Sequence, residues 1–197
     1  MRRSTVDYDE AARKLFASLG LDATGATPEG LRNNIYNPMD LVFHDKATGG
    51  KIFVGNQSAA QNAALLQREG VTHVVNCTDS MPFYHERTFE YKRFNVTFWP
   101  SESLEALTSF MAPMLEFVDK CVASGGGVLV HCLAGAHRAG TTGCMLLMHK
   151  CGLSAAAAVA AAKQLRPVID PIGRFPELLR QFERINGQKR LAASQPK

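Results

Sequence analysis

One short segment constrains this chain more than any other: GGGVLVHCLAGAHRAGTT, residues 125–142. It starts as an apolar run typical of a buried strand, and beyond Arg138 it continues with a pattern typical of a helix. The loop between Cys132 and the helix can turn its backbone N–H groups towards one point, since Gly135 permits a tight backbone. Such a loop is suited to an anion, because the helix N-terminus adds partial positive charge.

The side chains of this loop add reactive chemistry to an anion site. Arg138 can offer two N–H groups to two oxygens of a phosphate. The helix N-terminus and the neighbouring cation favour ionisation of Cys132. We therefore predict that Cys132 is a nucleophile beneath a bound phosphoryl group, the alternative being an inert buried thiol. His131 is predicted to orient the loop by hydrogen bonding, although a core histidine would look the same in the sequence.

The residues around the loop predict an α/β fold. Strand, helix and strand patterns follow one another from residue 51, which implies a parallel pair with a crossover. Another strand, a long helix and the buried strand before the loop come next, and helices follow it. We predict a central, mostly parallel sheet flanked by helices. The segments, in order, are KIFVG, SAAQNAALLQREG, VTHVVNCT, YKRFNVTFW, LEALTSFMAPMLEFVDKCVAS and GVLVHC.

The predicted organisation is a single domain with additions at both ends. The chain has 197 residues, 46% of them hydrophobic, and no internal repeat. We assign residues 1–50 to an N-terminal helical extension, because residues 5–19 have helical spacing and EGLRNNIY reads as one or two turns. Residues 51–187 form the predicted catalytic domain, and residues 188–197 a disordered basic tail.

Composition excludes several function classes. The net charge of +4 is spread along the chain, which argues against a nucleic-acid-binding surface. No apolar run is long enough to span a membrane, and the N-terminus lacks the pattern of a secretory signal. Five cysteines without CxxC spacing indicate reduced thiols rather than disulfides or a metal site. We expect a monomer in the cytoplasm or the nucleus.

His131, Cys132, Gly135 and Arg138 reproduce the pattern HCxxGxxR, so the chain resembles the cysteine-dependent protein tyrosine phosphatases. Its modest length and the segments flanking the loop are most similar to those of the dual-specificity phosphatases, over roughly residues 50–185. The resemblance implies a protein tyrosine phosphatase-like fold and phosphoryl transfer to Cys132 and then to water, without metal or other cofactor. It assigns phosphate binding to the loop, namely Leu133, Ala134, Gly135, Ala136, His137 and Arg138.

The resemblance also implies a substrate class. Dual-specificity phosphatases act on phosphotyrosine and on phosphoserine or phosphothreonine in proteins, and a MAP kinase is a family-level expectation. A phosphopeptide-binding adaptor with weak turnover is the alternative, suggested by two departures from the family pattern. A phosphatase for phosphoinositides or RNA 5′-ends is disfavoured, since the loop interior LAGAH has no lysine.

The first departure lies directly after the loop arginine. Family members carry a serine or threonine there, whose hydroxyl stabilises the departing thiolate, whereas this chain has Ala139. Loss of one such hydrogen bond costs about 1.5–3 kcal/mol. Thr141 and Thr142 follow within one turn and are candidates to compensate.

The second departure concerns the general acid. Family members carry an aspartate on the loop after the preceding strand, but here that loop is WPSESLE. Ser101 takes the aspartate's position and cannot act as an acid near neutral pH. We predict Glu102, its neighbour, as the catalytic acid, against the alternative of a solvated carboxylate at a helix start. Glu105 is a weaker candidate, and Asp79 is set aside because it lies on another loop.

Overall fold

The computed structural model describes residues 6–22 and 36–194, with side chains up to residue 188. Five strands form one sheet in the order β1-β2-β5-β3-β4; β1 is antiparallel to β2, and the other neighbours are parallel. The predicted α/β class with a mostly parallel sheet is confirmed. The strands are β1 Met39–His44, β2 Lys51–Gly55, β3 Val71–Asn76, β4 Glu90–Arg93 and β5 Gly127–His131.

Helices cover both faces of this sheet. In chain order they are α1 Tyr8–Ser18, α2 Gln57–Gln61, α3 Ala63–Arg68, α4 Leu104–Ala123, α5 Arg138–Cys151, α6 Ala155–Leu165 and α7 Phe175–Ser194, with a 3-10 turn at Val96–Phe98. None of these described helices is by itself long and apolar enough to cross a membrane. Only α5 and α6 taken together meet that test, and they are bent by 115°.

The central strand explains why the sheet is buried on both sides. Every residue of β5 is buried, and successive side chains enter different parts of the core. Val128 and Val130 pack with α4, α5 and α7, whereas Leu129 packs with Leu66 of α3 on the opposite face. This alternation follows from the two-residue period of a strand, and it makes the run GVLVH apolar throughout.

The carboxyl ends of the three inner strands meet at one edge of the sheet. Gly55 of β2 and Asn76 of β3 both pair with His131, the last residue of β5. Loops at this edge of an open α/β sheet are the usual position of a binding site. The loop 132–137 therefore starts from the middle of the sheet, with a neighbouring strand on each side.

The predicted N-terminal boundary needs a correction. Residues 39–44, assigned to a helical extension, form the edge strand β1 and pair with β2 through five residue pairs. Only Val42 of this strand is buried, so it lacks the apolar alternation that identifies a strand in a sequence. The helix predicted in residues 5–19 is confirmed as α1, whereas the turns predicted at EGLRNNIY lie almost wholly outside the described residues.

Other element boundaries also differ from the prediction. The basic tail predicted to be disordered from residue 188 is helical to Ser194, because its Lys, Arg, Leu and Ala residues all favour helix. The helix predicted after β2 is interrupted at Asn62, whose side chain caps α3. The strand predicted at YKRFNVTFW ends at Arg93 and gives way to the 3-10 turn.

Candidate active site

The loop between β5 and α5 is held from outside by its carbonyl groups. Gln57 N donates to Leu133 O at 3.1 Å, and Asp170 N donates to Ala136 O at 3.1 Å. Between them, Ala134 O accepts from the Tyr36 hydroxyl at 2.8 Å and Gly135 O from Arg166 Nε at 3.0 Å. Four successive loop carbonyls are thus engaged by donors that lie outside the loop.

This arrangement directs the loop amides inwards. In a trans peptide the N–H points away from the preceding C=O, so the amides of residues 134–137 face the side opposite to these donors. Within the described part of the chain, none of these four amides donates to another backbone carbonyl. Together with the first turn of α5, they form a cup of N–H groups that is suited to an oxyanion.

Gly135 is required at its position for two reasons. Its φ of +65° lies in the left-handed region, which confirms the tight backbone predicted for it. A Cβ atom here would also lie 2.5 Å from Gly55 O and 2.8 Å from Arg166 Nη2. Any side chain would therefore push the loop off the donors that shape it.

Arg166 is the main support of the loop, and the sequence analysis missed it. Its guanidinium is almost fully buried and donates to the carbonyls of Gly135, Ala134 and Asn37. It also forms an ion pair with Asp40 of β1 at 2.6 Å, which compensates the buried charge. The edge strand therefore contributes to the site through Arg166. The only signal in the sequence was the arginine before Pro167.

Cys132 and Arg138 border the loop amides at either end of the loop. Both residues are buried, at 2% and 5% exposure, so the thiol lies beneath the surface. The pKa of Arg138 is raised: burial, the largest influence, acts to lower it, but the electrostatic influence of Cys132 and Asp9 outweighs burial. Arg138 Nη2 donates to the Asp9 carboxylate of α1, a contact that the sequence did not indicate.

His131 lies fully buried under the loop, at the end of β5. Its carbonyl accepts from Cys77 N at 2.8 Å, which joins the ends of β3 and β5 below Cys132. Burial lowers the pKa of the imidazole to about 4, so the ring is neutral at physiological pH. The orienting role predicted for the ring stays a prediction.

The buried imidazole leads to an expected pH dependence of stability. The native state releases this proton at about pH 4 and the unfolded chain near 6.5, so the native state binds fewer protons between these values. The free energy of unfolding should therefore fall by about 3 kcal/mol as the pH drops from 7 to 4. Urea unfolding across this range measures the fall.

A variant isolates the contribution of this histidine. His131→Asn should show a shallower fall between pH 6.5 and 4, whereas the exposed His44→Asn should retain the slope of the wild type. Equal slopes in the wild type and His131→Asn would contradict the assignment.

The compensation expected from Thr141 and Thr142 is not present. Thr141 Oγ1 donates to His137 O at 2.6 Å, and Thr142 Oγ1 donates to Arg138 O at 3.0 Å. Each hydroxyl has one hydrogen, and in both residues it is engaged with the carbonyl four residues back. Neither is free to donate to Cys132, so Ala139 leaves the thiolate without the side-chain donor found in the family pattern.

Cys77 lies directly beyond β3, beside Cys132, because Asn76 and His131 are paired. It is fully buried, its thiol donates to Thr142 Oγ1 at 3.4 Å, and burial raises its pKa to about 12. A thiol with this pKa is protonated and a poor nucleophile at neutral pH. Cys144 and Cys151 lie on α5, the first buried and the second exposed.

His137 is buried in the loop rather than exposed at its surface. Only 7% of the residue is exposed, and Nδ1 hydrogen bonds to Asp170 O at 2.8 Å. The ring therefore fixes the loop to the segment between α6 and α7. Its backbone N–H remains one of the four amides of the cup.

Three aspartates line the cavity beside Arg138. The cavity beside Arg138 has a volume of about 390 Å³, and Phe98 and Asn95 form part of its wall. Asp7, Asp9 and Asp79 also line this cavity; Asp79 lies on the loop after β3, apart from the loop that carries Glu102. The residues lining the cavity do not include Glu102, which is exposed just before α4.

A larger groove lies apart from this chemistry. It measures about 660 Å³ and is bordered by the alanines of α6 and by Leu179 and Arg180 of α7. Neither Cys132 nor Arg138 lines it. Among the side chains that the structure describes, no group of three or more His, Cys, Asp or Glu residues is arranged to hold a metal ion.

Comparison with known proteins decides the family. Residues 52–185 match the profile described as "Dual specificity phosphatase, catalytic domain". The chain belongs to the dual specificity phosphatase family. The match covers the sheet from β2 onwards, the loop 132–137 and most of α7, but not α1 or β1. The family predicted from the HCxxGxxR pattern is confirmed.

Relatives within this family include proteins of very different lengths. The chain is 31% identical to human dual specificity protein phosphatase 9 over 182 residues, which is 90% of this chain and 44% of that protein. It is 31% identical over 133 residues to dual specificity protein phosphatase 1B of Arabidopsis thaliana, covering 68% and 78% of the two chains. The chain thus spans less than half of the longer relative.

Solved structures agree with this fold. Human DUSP28 superposes with a TM-score of 0.64 at 27% identity, over 78% of this chain and 98% of that one. A mouse dual specificity phosphatase complexed with zinc tungstate gives a TM-score of 0.64 at 26% identity, over 83% and 97% of the two chains. The predicted protein tyrosine phosphatase-like architecture is confirmed.

Proposed function

We propose that this protein is a cysteine-dependent phosphatase that hydrolyses phosphotyrosine and phosphoserine or phosphothreonine in a protein substrate. The observation that carries the proposal is the loop itself: the carbonyls of residues 133–136 are held from outside, and the amides of residues 134–137 face inwards between Cys132 and Arg138. A tetrahedral dianion matches this cup in shape and charge. The mouse relative crystallised with tungstate, an oxyanion of the same geometry, supports the assignment.

The proposed reaction has two steps. Cys132 Sγ forms a bond to phosphorus while the bond to the leaving oxygen breaks, and that oxygen takes a proton from an acid. A water molecule then attacks the cysteinyl phosphate and gives a proton to the deprotonated acid, so that the bond between phosphorus and sulfur breaks, inorganic phosphate forms, and the thiolate and the acid are both restored. Arg138 and the loop amides hold the three equatorial oxygens throughout, so the main contribution of the protein is electrostatic stabilisation of the transferring group.

Ala139 predicts which step is slower. Without a hydroxyl donor, the thiolate that departs in the second step receives one fewer hydrogen bond, which costs about one to two powers of ten in rate. We therefore propose that the cysteinyl phosphate accumulates during turnover.

A rapid-mixing experiment tests the function and separates it from an adaptor. With 3-O-methylfluorescein phosphate, we expect a burst of about one product per enzyme followed by sustained turnover. A burst followed by negligible turnover would favour the phosphopeptide-binding adaptor, and no burst and no turnover would refute the phosphatase. Phosphotyrosine and phosphothreonine peptides of one sequence then test the dual specificity directly.

The physiological setting is proposed from the same chemistry. A nucleophilic cysteine must stay reduced, and the five cysteines of the chain form no disulfide. We therefore propose that the protein acts in the cytoplasm or the nucleus, where thiols are kept reduced. We further propose that it acts as a monomer on a phosphorylated signalling protein such as a MAP kinase, as the resemblance to this family implies.

Glu102 remains the proposed acid, and its position outside the cavity leads to a testable prediction. Phe98 borders the cavity, and Glu102 follows four residues later. Four residues of extended backbone span roughly 13 Å, so the chain is long enough to bring Glu102 to the cavity. The loop must therefore swing towards the cup when substrate binds. Glu102→Gln should lower kcat by about 10²-fold on an alkyl phosphate such as phosphoserine, and far less on an aryl phosphate whose leaving group needs no proton.

Two further variants make this prediction decisive. Glu105→Gln removes the same charge one turn further on and should leave both rates unchanged. If Glu102→Gln changes neither rate while Asp79→Asn selectively impairs the alkyl phosphate, the acid is Asp79.

A further inference from the structure

Helix α1 packs directly on the phosphate loop. Ala12 and Phe16 of α1 belong to the same buried cluster as Leu133 and Ala134 of the loop, and the Phe16 ring meets the Tyr36 ring edge to face at 5.9 Å. At the other end of the helix, Tyr8 stacks on Phe175 of α7 at 4.6 Å. The helix is therefore fixed across the loop by apolar contacts at both ends.

This packing places a carboxylate on the phosphate-binding arginine. Asp9 lies in the first turn of α1, next to Tyr8, and its Oδ1 accepts from Arg138 Nη2. The Arg138 side chain is only 7% exposed, and among the residues that the structure describes its buried Nε has no hydrogen-bond partner. The Asp9 side chain is 42% exposed, so it reaches the arginine from the solvent side, the direction from which a substrate must enter.

A bound phosphate and this ion pair make conflicting demands on Arg138. A guanidinium holds phosphate through two parallel N–H groups, and one of its nitrogens is already occupied by Asp9. A phosphate dianion in the cup would also lie beside the Asp9 carboxylate and would be repelled by it. The two anions therefore cannot both bind Arg138 in their preferred geometry.

We propose that Asp9 is an intramolecular competitor of the substrate, which occupies Arg138 in the resting protein and must leave when a phosphate binds. This inference rests on the proposed phosphatase function and adds an autoinhibitory contact to it. The ion pair lowers the fraction of molecules that are ready to bind phosphate, so it weakens apparent affinity without altering the chemical step. α1 thus regulates access to the loop on which it packs.

The test measures competition by inorganic phosphate. Asp9→Asn should lower both the inhibition constant of phosphate and the KM for 3-O-methylfluorescein phosphate by about tenfold, with kcat little changed. Asp9→Ala should behave in the same way, and a thermal melt of each variant verifies that it is folded. Glu10→Gln is the matched control, since Glu10 is the adjacent carboxylate and pairs with Lys14 at 2.6 Å.

The variant Asp79→Asn distinguishes direct occupation of Arg138 by a carboxylate from general repulsion between a nearby carboxylate and phosphate. Asp79 lines the same cavity, but its carboxylate is not the one that binds Arg138. Its removal should change the phosphate inhibition constant by no more than about twofold, by loss of a screened charge. An effect as large as that of Asp9→Asn would overturn the proposal, as would an unchanged constant in Asp9→Asn.

Two further results distinguish competition by Asp9 from the proposed phosphatase function on which it rests. A fall in kcat on alkyl phosphates in Asp9→Asn, with loss of the matching limb of the pH profile, would make Asp9 a proton donor and overturn the competition. If the wild type shows no turnover, the phosphatase function fails, and calorimetric titration with inorganic phosphate still measures the competition. Equal phosphate affinity of the wild type and Asp9→Asn in that titration would then refute the inference by itself.

Discussion

Replacement of Cys132 by serine should abolish turnover, lowering kcat by at least about 10⁴-fold. Cys132 supplies the nucleophilic sulfur of the proposed mechanism, and a serine hydroxyl there would need a neighbouring base to take its proton. The imidazole of His131, the preceding residue, is a weak base, because burial lowers its pKa to about 4. The measurement is the initial rate with 3-O-methylfluorescein phosphate at saturating substrate.

The same variant separates chemistry from binding. Cys132→Ser keeps Arg138 and the loop amides, so inorganic phosphate should still bind to this variant. Iodoacetate should label position 132 only in the wild type, and bound phosphate should slow that labelling. Cys151→Ser is the control, because Cys151 is the exposed cysteine at the far end of α5. Equal turnover by wild type and Cys132→Ser would refute the mechanism.

The catalytic loop was predictable from the sequence because its parts are contiguous. Cys132, Gly135 and Arg138 lie within seven residues, between an apolar strand and a helix, so local pattern and local chemistry point to the same site. The conformation of Gly135 and the position of Cys132 at the end of the central strand follow from this local information. Nothing distant in the chain is needed to recognise them.

The supports of the loop were not predictable, because they come from distant parts of the chain. Arg166 donates to Gly135 O across 31 residues, and its partner Asp40 lies 126 residues away. Asp9 and Arg138 are separated by 129 residues. Each is an ordinary charged residue in its own segment, and only the packing of α1 and β1 against the loop brings them to the site.

Two local predictions were wrong because each segment takes its conformation from a feature that the prediction did not use. β1 is an edge strand with one buried residue, so hydrophobic alternation could not reveal it, and its pairing with β2 decides its conformation. The C-terminal segment was judged by its position at the end of the chain, whereas the helix propensity of its residues continues α7 to Ser194. In both regions the conformation depends on an adjoining element rather than on an apolar pattern.

Replacement of Arg138 by lysine tests whether geometry or charge binds the phosphate. The substitution keeps the positive charge but replaces a planar fork with a single point charge. We expect kcat/KM to fall by about 10²–10³-fold, because two charge-assisted hydrogen bonds to the transferring group are reduced to one in its transition state. Steady-state kinetics with an aryl phosphate measure this loss, since such a substrate does not depend on the general acid.

The partner of Arg138 gives this prediction a second readout. Lysine also loses the fixed contact with Asp9, so part of the lost phosphate affinity should be offset by weaker competition from α1. In an Asp9→Asn background, Arg138→Lys should therefore appear more damaging to phosphate affinity than in the wild type. Arg68→Lys, at an exposed position on α3, is the control for the substitution itself. Activity of Arg138→Lys within about threefold of wild type would show that charge alone suffices and that the two-pronged contact is not used.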